Sequence, residues 1–455
     1  MIIPTAMPPT SGAGQGIFYY TQSGDTLPAI ASRFGVASEE ITAQIPIPPT
    51  NLLDPGTLLV VPDRLGQTTP SVRTIPDAEV VFSPASLDFD TSAYADEMGG
   101  RLSAYRDYLM SEGTITGAEA VDKIALENSV NPRLMLGLLE YESQWVSGEP
   151  DNLAKDDFPL GWVDYRYRGL FRQMMWAERV LADGYYGWRS GKLTDLTFAD
   201  GRTVRLSPEL NAGTAAIQYY FAQRYSKDYD KWAMAIDPNI GFPALYNRMF
   251  GDPWQRAAAV DPLFPAGLTQ PQLALPFIPG QVWAYTGGPH SAWEREGGAQ
   301  AALDFAPSSD APGCLSSPQW VVAPAPGLVT RSGNGVVALD LDFDGQEQTG
   351  WVILFLHVAT KGRVREGTLL NQDDLIGHPS CEGGVSSGTH VHIVRKYNGE
   401  WILADGPLPF NLDGWISHAG ERAYKGTLTR GDRTLEACTC GSFETQLIRE
   451  KNASQ

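Results

Sequence analysis

The chain has 455 residues and a formal net charge of −19. That length exceeds a single hydrophobic core and fits about three domains, and 43% apolar residues with twelve tryptophans exclude a disordered chain. The acidity excludes nucleic acid as a partner, because phosphate binding needs clustered Lys and Arg. No run approaches the ~18 apolar residues of a membrane span, and Met1 to Thr10 carry neither the basic nor the apolar part of a signal peptide.

Residues 1–16, rich in Pro, Gly, Ser and Thr, predict a flexible lead. Phe18 to Gln22 reads as a strand, and Gly24-Asp25-Thr26 as a turn that opens a helix. In that helix Leu27, Ile30, Ala31 and Phe34 fall at i, i+3, i+4, i+7, and Gly35 ends it. Ser38 is expected to cap a second helix, and Pro55-Gly56 turns into the strand Thr57 to Pro62. This βααβ pattern over residues 17–65 resembles the LysM domain, through Tyr20, the run Ser23 to Leu27, Phe34-Gly35 and Gly56 to Pro62. The resemblance implies a groove for N-acetylglucosamine-containing glycan, with Gly24, Asp25 and Thr26 on one wall and Ile45 and Pro46 on the other.

Residues 66–78 read as a flexible linker by composition. The domain expected over 79–262 is all-α, with helical periodicity at Gly100–Tyr108, Ala118–Ser129, Asn131–Ser143, Tyr167–Ala182 and Ser207–Tyr225. Glu142, in Leu139-Glu140-Tyr141-Glu142-Ser143, resembles the acid of lysozyme-like lytic transglycosylases and is a candidate second catalytic residue. The Ala-Tyr-Asn-Ala-Gly stretch of that family is missing here.

After a Pro/Gly-rich linker near Pro262 to Gly280 the texture changes to short alternating strands, among them Trp320–Ala323, Gly327–Arg331, Val336–Leu341, Trp351–His357 and Thr389–Val394. An antiparallel β domain is expected over 275–425. All six histidines lie beyond residue 289. His390 and His392 share one strand face, because side chains two residues apart point the same way. With His290 and His357 they form a set that is hard to explain as core filling. These residues resemble the lysostaphin-type zinc metallopeptidases: His290 with Asp304, His357 ending Leu354-Phe355-Leu356, and His390-Val391-His392 after Ser387-Gly388-Thr389. The resemblance implies Zn2+ held by His290, Asp304 and His392, with His357 and His390 as catalytic histidines. Three ligands leave a fourth position for water, as catalytic zinc sites do. Asp304 follows His290 by fourteen residues, where many members space the pair by four, so Ser291 to Leu303 must loop out; Asp310 is a rival carboxylate.

Asp340, Asp342 and Asp344 with Gly345 match the opening of a calcium loop. Trp351 stands where an EF-hand needs its Glu, so a polar hairpin is the favoured reading and Ca2+ the alternative. Cys314, Cys381, Cys438 and Cys440 favour disulfides without fixing their pairing. The expected function is a secreted or cell-envelope peptidoglycan hydrolase, a zinc endopeptidase targeted to the bacterial wall by LysM. The alternatives are an inactive wall-binding or activator protein, and a transglycosylase or muramidase acting through the helical domain.

Overall fold

The computed structural model describes residues 16–293, 297–308, 313–315, 317–440 and 442–450. The expected flexible lead up to Gln15, the rival carboxylate Asp310, and Glu294, Arg295 and Glu296 of the insert lie outside them. The architecture mixes helix and antiparallel sheet in three units. No helix among the described residues is long and apolar enough to cross a membrane.

In the first unit Gly16–Tyr20 pairs with Leu58–Pro62, and Thr42–Ala43 adds a third strand. The helix Leu27–Phe34 starts on the Thr26 side chain, which accepts from the Ala29 N–H, and stops at Gly35 in the left-handed conformation (φ 65°). Its apolar stripe is buried as the periodicity predicts. The second helix is reduced to one 3-10 turn, Ser38–Glu40, preceded by Ala37 rather than capped by Ser38. Ile41 is already extended, so that Thr42 can reach Val60 in the sheet.

This unit is docked, not tethered. The Arg33 guanidinium stacks 4.6 Å over the Trp188 ring and donates to the Trp188 carbonyl at 3.0 Å. Ser32 Oγ donates to Gly191 O at 2.6 Å, and Gln22 Nε2 to Leu210 O at 3.0 Å. The linker is not a free strap either. Thr69 N donates to Arg205 O, Thr74 N donates to Thr214 Oγ1, and Ile75 is fully buried. The second linker buries Leu263, Leu275 and Phe277. Composition alone does not separate a solvated strap from one pinned by backbone hydrogen bonds and a few apolar anchors. Removing residues 1–65 uncovers Trp188, so it is expected to lower the melting temperature of the remaining chain by roughly 5 °C or more. Scanning calorimetry checks this, and an unshifted transition would show that the docking adds no stability.

The middle unit is built around Gly117–Asn128, Pro132–Ser143, Leu170–Arg189 and Ala212–Arg224, with shorter helices at either end. It is not purely helical. The expected helix 100–108 splits into Arg101–Ala104 and the strand Arg106–Leu109, which pairs with Gly113–Thr116; Asp195–Thr197 and Thr203–Arg205 make a second hairpin. The Gly113 turn lets these short, mixed segments pair locally, where a helix would need continuous apolar periodicity.

In the third unit the strands run in the order Leu369–Leu370, Gly327–Gly333, Val336–Asp340, Trp351–Leu356, Val391–Tyr397, Gln300–Pro307, Val282–Ser291, Gln446–Ile448. The last strand carries the sheet to residue 448, beyond the 425 expected as its end. Both faces are covered. Along Trp351–Leu356, Ile353 and Phe355 enter a core within the unit, while Val352, Leu354 and Leu356 share a core with the helical unit. That explains why this strand is an unbroken apolar run in place of an alternating one. The turn Asn398 to Trp401 plugs into the helices: Tyr186 OH accepts from Trp401 N at 2.9 Å, and Ser129 Oγ donates to Gly399 O at 2.6 Å.

Candidate active site

The same alternation decides where the histidines point. His392 lies two residues before Val394, which packs toward the helical unit, so its ring leaves the sheet on that side. Asp304 is its cross-strand partner, and Leu356, just before His357, pairs with it from the other strand. His290 lies next to the end of the neighbouring strand, opposite Ala302. Gly287 faces Asp304 across the same pair, and a Cβ there would fall 2.4 Å from Asp304 Oδ2. Only glycine leaves room for that carboxylate.

His290 Nε2 and His392 Nδ1 are 3.0 Å apart, and each is 3.3 Å from Asp304 Oδ1. The other nitrogen of each ring donates to a carbonyl that can only accept: His290 Nδ1 to Gly288 O at 2.8 Å and His392 Nε2 to Ala292 O at 3.0 Å. With both rings neutral the two facing nitrogens are bare lone pairs, converging with a buried Asp304 Oδ1 that lacks any hydrogen-bond donor. Three acceptors turned on one point need a cation between them. Zinc bonds of about 2.0–2.1 Å at tetrahedral angles place ligand atoms roughly 3.3 Å apart, so the donor set fits that ion. Burial alone would raise the Asp304 carboxyl, but His290 and His390 hold it well below the usual carboxylate range. It is a ready anionic ligand.

His357 and His390 stand beside this triad with ring centroids 4.4 Å apart. Each donates its Nδ1 proton to a backbone carbonyl at 2.8 Å, of Glu382 and Gly388 respectively, which leaves both Nε2 atoms as bases. Burial, then the neighbouring His390 and His392, push His357 down to about 4, so it is neutral at physiological pH. His357 has φ +65°, an uncommon conformation for a residue with a side chain. Ser380 stabilises it by donating its N–H and Oγ–H to the His357 carbonyl.

Several of these supports carried no sequence signal. Tyr424 stacks on His290 at 4.1 Å, and the carbonyls of Gly288, Ala292, Glu382 and Gly388 fix the tautomers. Cys314 is paired with Cys381, next to Glu382, and Cys438 with Cys440. The site opens into a cleft of about 1450 Å3 between the sheet and the helical unit.

The other candidate sites fare differently. Asp25 does not face a sugar groove: it is buried, ion-paired with Arg33 at 2.7 Å, and accepts from Tyr19 OH at 2.6 Å. Thr26 is buried as the helix cap, and Gly24 lies against Arg189, whose guanidinium would sit 2.5 Å from any added Cβ. Ile45 and Pro46 are exposed, so only one expected wall of that groove is open. Glu142 is nearly inaccessible, paired with Arg224 at 3.1 Å and hydrogen-bonded by Tyr225, and does not line the cleft. Asp340, Asp342 and Asp344 lie together in a hairpin turn, where Asp340 accepts from the N–H groups of Asp342 and Gly345 and Asp344 accepts from Thr349. The turn itself accounts for the Asp340 and Asp344 carboxylates.

Residues 19–62 match the family model for the LysM domain, and residues 73–264, the stretch likened above to lytic transglycosylases, match that for the LasA N-terminal domain. Protease LasA of Pseudomonas aeruginosa is 26% identical in both strain UCBPP-PA14 and strain PAO1, over 61% of this chain and 65% of the relative. The chain therefore spans just under two thirds of these relatives. Among solved structures, the M23 metalloprotease pseudoalterin is 24% identical with a TM-score of 0.31, covering 38% of this chain and 96% of its own. The catalytic domain of lysostaphin from Staphylococcus simulans is 20% identical with a TM-score of 0.20, covering 27% and 87%. The chain thus carries a LysM domain at its start and, over 61% of its length, is similar to protease LasA.

Proposed function

We propose that the protein is a zinc-dependent endopeptidase that cleaves peptide bonds in bacterial peptidoglycan, acting outside the cell or in the envelope. The observation that carries this reading is the convergence of two bare imidazole nitrogens and one partnerless carboxylate oxygen, 3.0–3.3 Å apart, beside two further basic histidines. His290, Asp304 and His392 would hold the ion. Bound there, zinc supplies Lewis acidity, which lowers the pKa of water from 15.7 toward ~7 and polarises a scissile carbonyl. The Nε2 atoms of His357 and His390 accept the proton of the attacking water and return it to the leaving amine, and as donors they stabilise the developing oxyanion. The cleft holds about 1450 Å3, and the Gly383–Thr389 loop forms part of its lining. The LysM domain supports a wall substrate, and the similarity to protease LasA supports peptide-bond cleavage.

The test is mass spectrometry of digested peptidoglycan. New peptide termini are expected; cleaved or anhydro sugars would point to the helical unit, and no product to an inactive binder. His357→Ala is expected to keep the zinc while lowering the rate by roughly 10²-fold, the scale of one positioned acid–base group. Metal analysis alongside kinetics checks this, and loss of zinc in that variant would redraw the division between ligands and bases.

A further inference from the structure

The cleft has two walls of different origin. One is the histidine-bearing face of the sheet; the other belongs to the helical unit, through Arg166 and, along the helix Leu170–Arg189, Arg172, Met175 and Arg179. Positions 172, 175 and 179 are three and four residues apart, so the helix turns them to one side. Three guanidinium groups therefore line a cleft whose one carboxylate among the described residues is Asp304, buried beneath the histidines. The wall is opposite in sign to the chain as a whole, at −19. Arg166 is paired with Asp164 at 2.6 Å, and Arg179 lies 6.0 Å over the Tyr167 ring. Arg172 is exposed and has no acidic partner among the described residues. A cleft lined by one sign of charge focuses its field on an incoming ion, and a guanidinium fork matches a carboxylate in two parallel hydrogen bonds.

We infer that Arg172, with Arg166 and Arg179 beside it, binds a carboxylate of the peptide substrate and makes the enzyme selective for anionic peptides. This rests on the peptidase reading above. The carboxylate has two sources, an acidic side chain flanking the scissile bond or a free C-terminus near it. The test uses the full chain loaded with zinc and three synthetic peptides sharing one scissile sequence: Glu-flanked with an amidated end, Gln-flanked with a free end, and Gln-flanked with an amidated end. Both kcat/KM and calorimetric Kd are measured at low salt. At least one carboxylate peptide should exceed the neutral one about tenfold in both, the scale of one charge-assisted contact in a half-exposed site. The peptide that does so identifies the source. Arg172→Gln should bring the ratio to about one, and Arg172→Glu should shift preference to a fourth, Lys-flanked and amidated peptide. Equal Kd values for all three peptides, or a ratio unchanged in both variants, would overturn the inference. If no peptide is cut but the carboxylate peptide still binds more tightly through Arg172, the peptidase reading fails and the inference stands.

Discussion

Replacing His392 with alanine is expected to strip the metal and reduce peptide cleavage by at least about 10³-fold. The loss should exceed the 10²–10³ range of a single oxyanion-hole donor, because it removes a direct ligand as well as local geometry. His392 Nδ1 is one of three converging donor atoms among the described residues, and its ring is held by Ala292 O and flanked by His290. Without it, His290 and Asp304 offer two ligands, short of the three protein ligands typical of catalytic zinc. Zinc content by atomic absorption, with circular dichroism to confirm the fold, decides the matter. Retention of one zinc per chain in His392→Ala would remove the ligand assignment altogether.

Arg189→Ala should be the most destabilising single change outside the site, by about 3–5 kcal/mol. The guanidinium is buried where the three units meet. It pairs with Glu400 through Nε at 2.9 Å and through Nη2 at 2.9 Å, with Asp77 at 2.9 Å, and donates to the Ser23 carbonyl of the LysM domain. Tyr185 OH donates to Glu400 at 2.8 Å and completes the network. Truncation leaves two buried carboxylates without their cation, which costs far more than the pair contributes when intact. Urea unfolding of the full chain measures the effect, and limited proteolysis at residues 66–78 reports whether the LysM domain has come loose. A change below about 1 kcal/mol would mean the carboxylates find other partners or protonate. Glu400→Gln combined with Arg189→Met should recover part of the loss, since it removes the Arg189 and Glu400 charges and leaves Asp77, which still accepts from Asn211 and Gly213.

Much of the site was legible because strand geometry is local. A period of two places His390 and His392 on one face from sequence alone, and the apolar run ending at His357 marks a buried strand whatever it packs against. The LysM helix was equally legible, since Leu27, Ile30, Ala31 and Phe34 repeat at helical spacing and Gly35 is a stop. Asp25 was misjudged for a physical reason. A short acidic residue in a turn has the same local signature whether it meets a sugar or an arginine eight residues on, and only packing brought Arg33 to it. The first helical stretch failed because hairpin pairing outcompeted a weak helical pattern.

The sequence by itself determined most of the elements and set His390 and His392 on one strand face, since these depend on spacing within a strand or helix. The choice of His290, Asp304 and His392 as ligand candidates came from the resemblance to the lysostaphin-type metallopeptidases. Tertiary structure alone decided that the thirteen residues from Ser291 to Leu303 still bring His290 onto Asp304, because register between neighbouring strands is a long-range pairing that no local period encodes. It alone decided that the linkers are pinned, that the LysM turn lies against Arg189, and that the helical unit walls the cleft with arginines. Those outcomes rest on burial and charge pairing between residues more than a hundred positions apart, where composition carries no directional information.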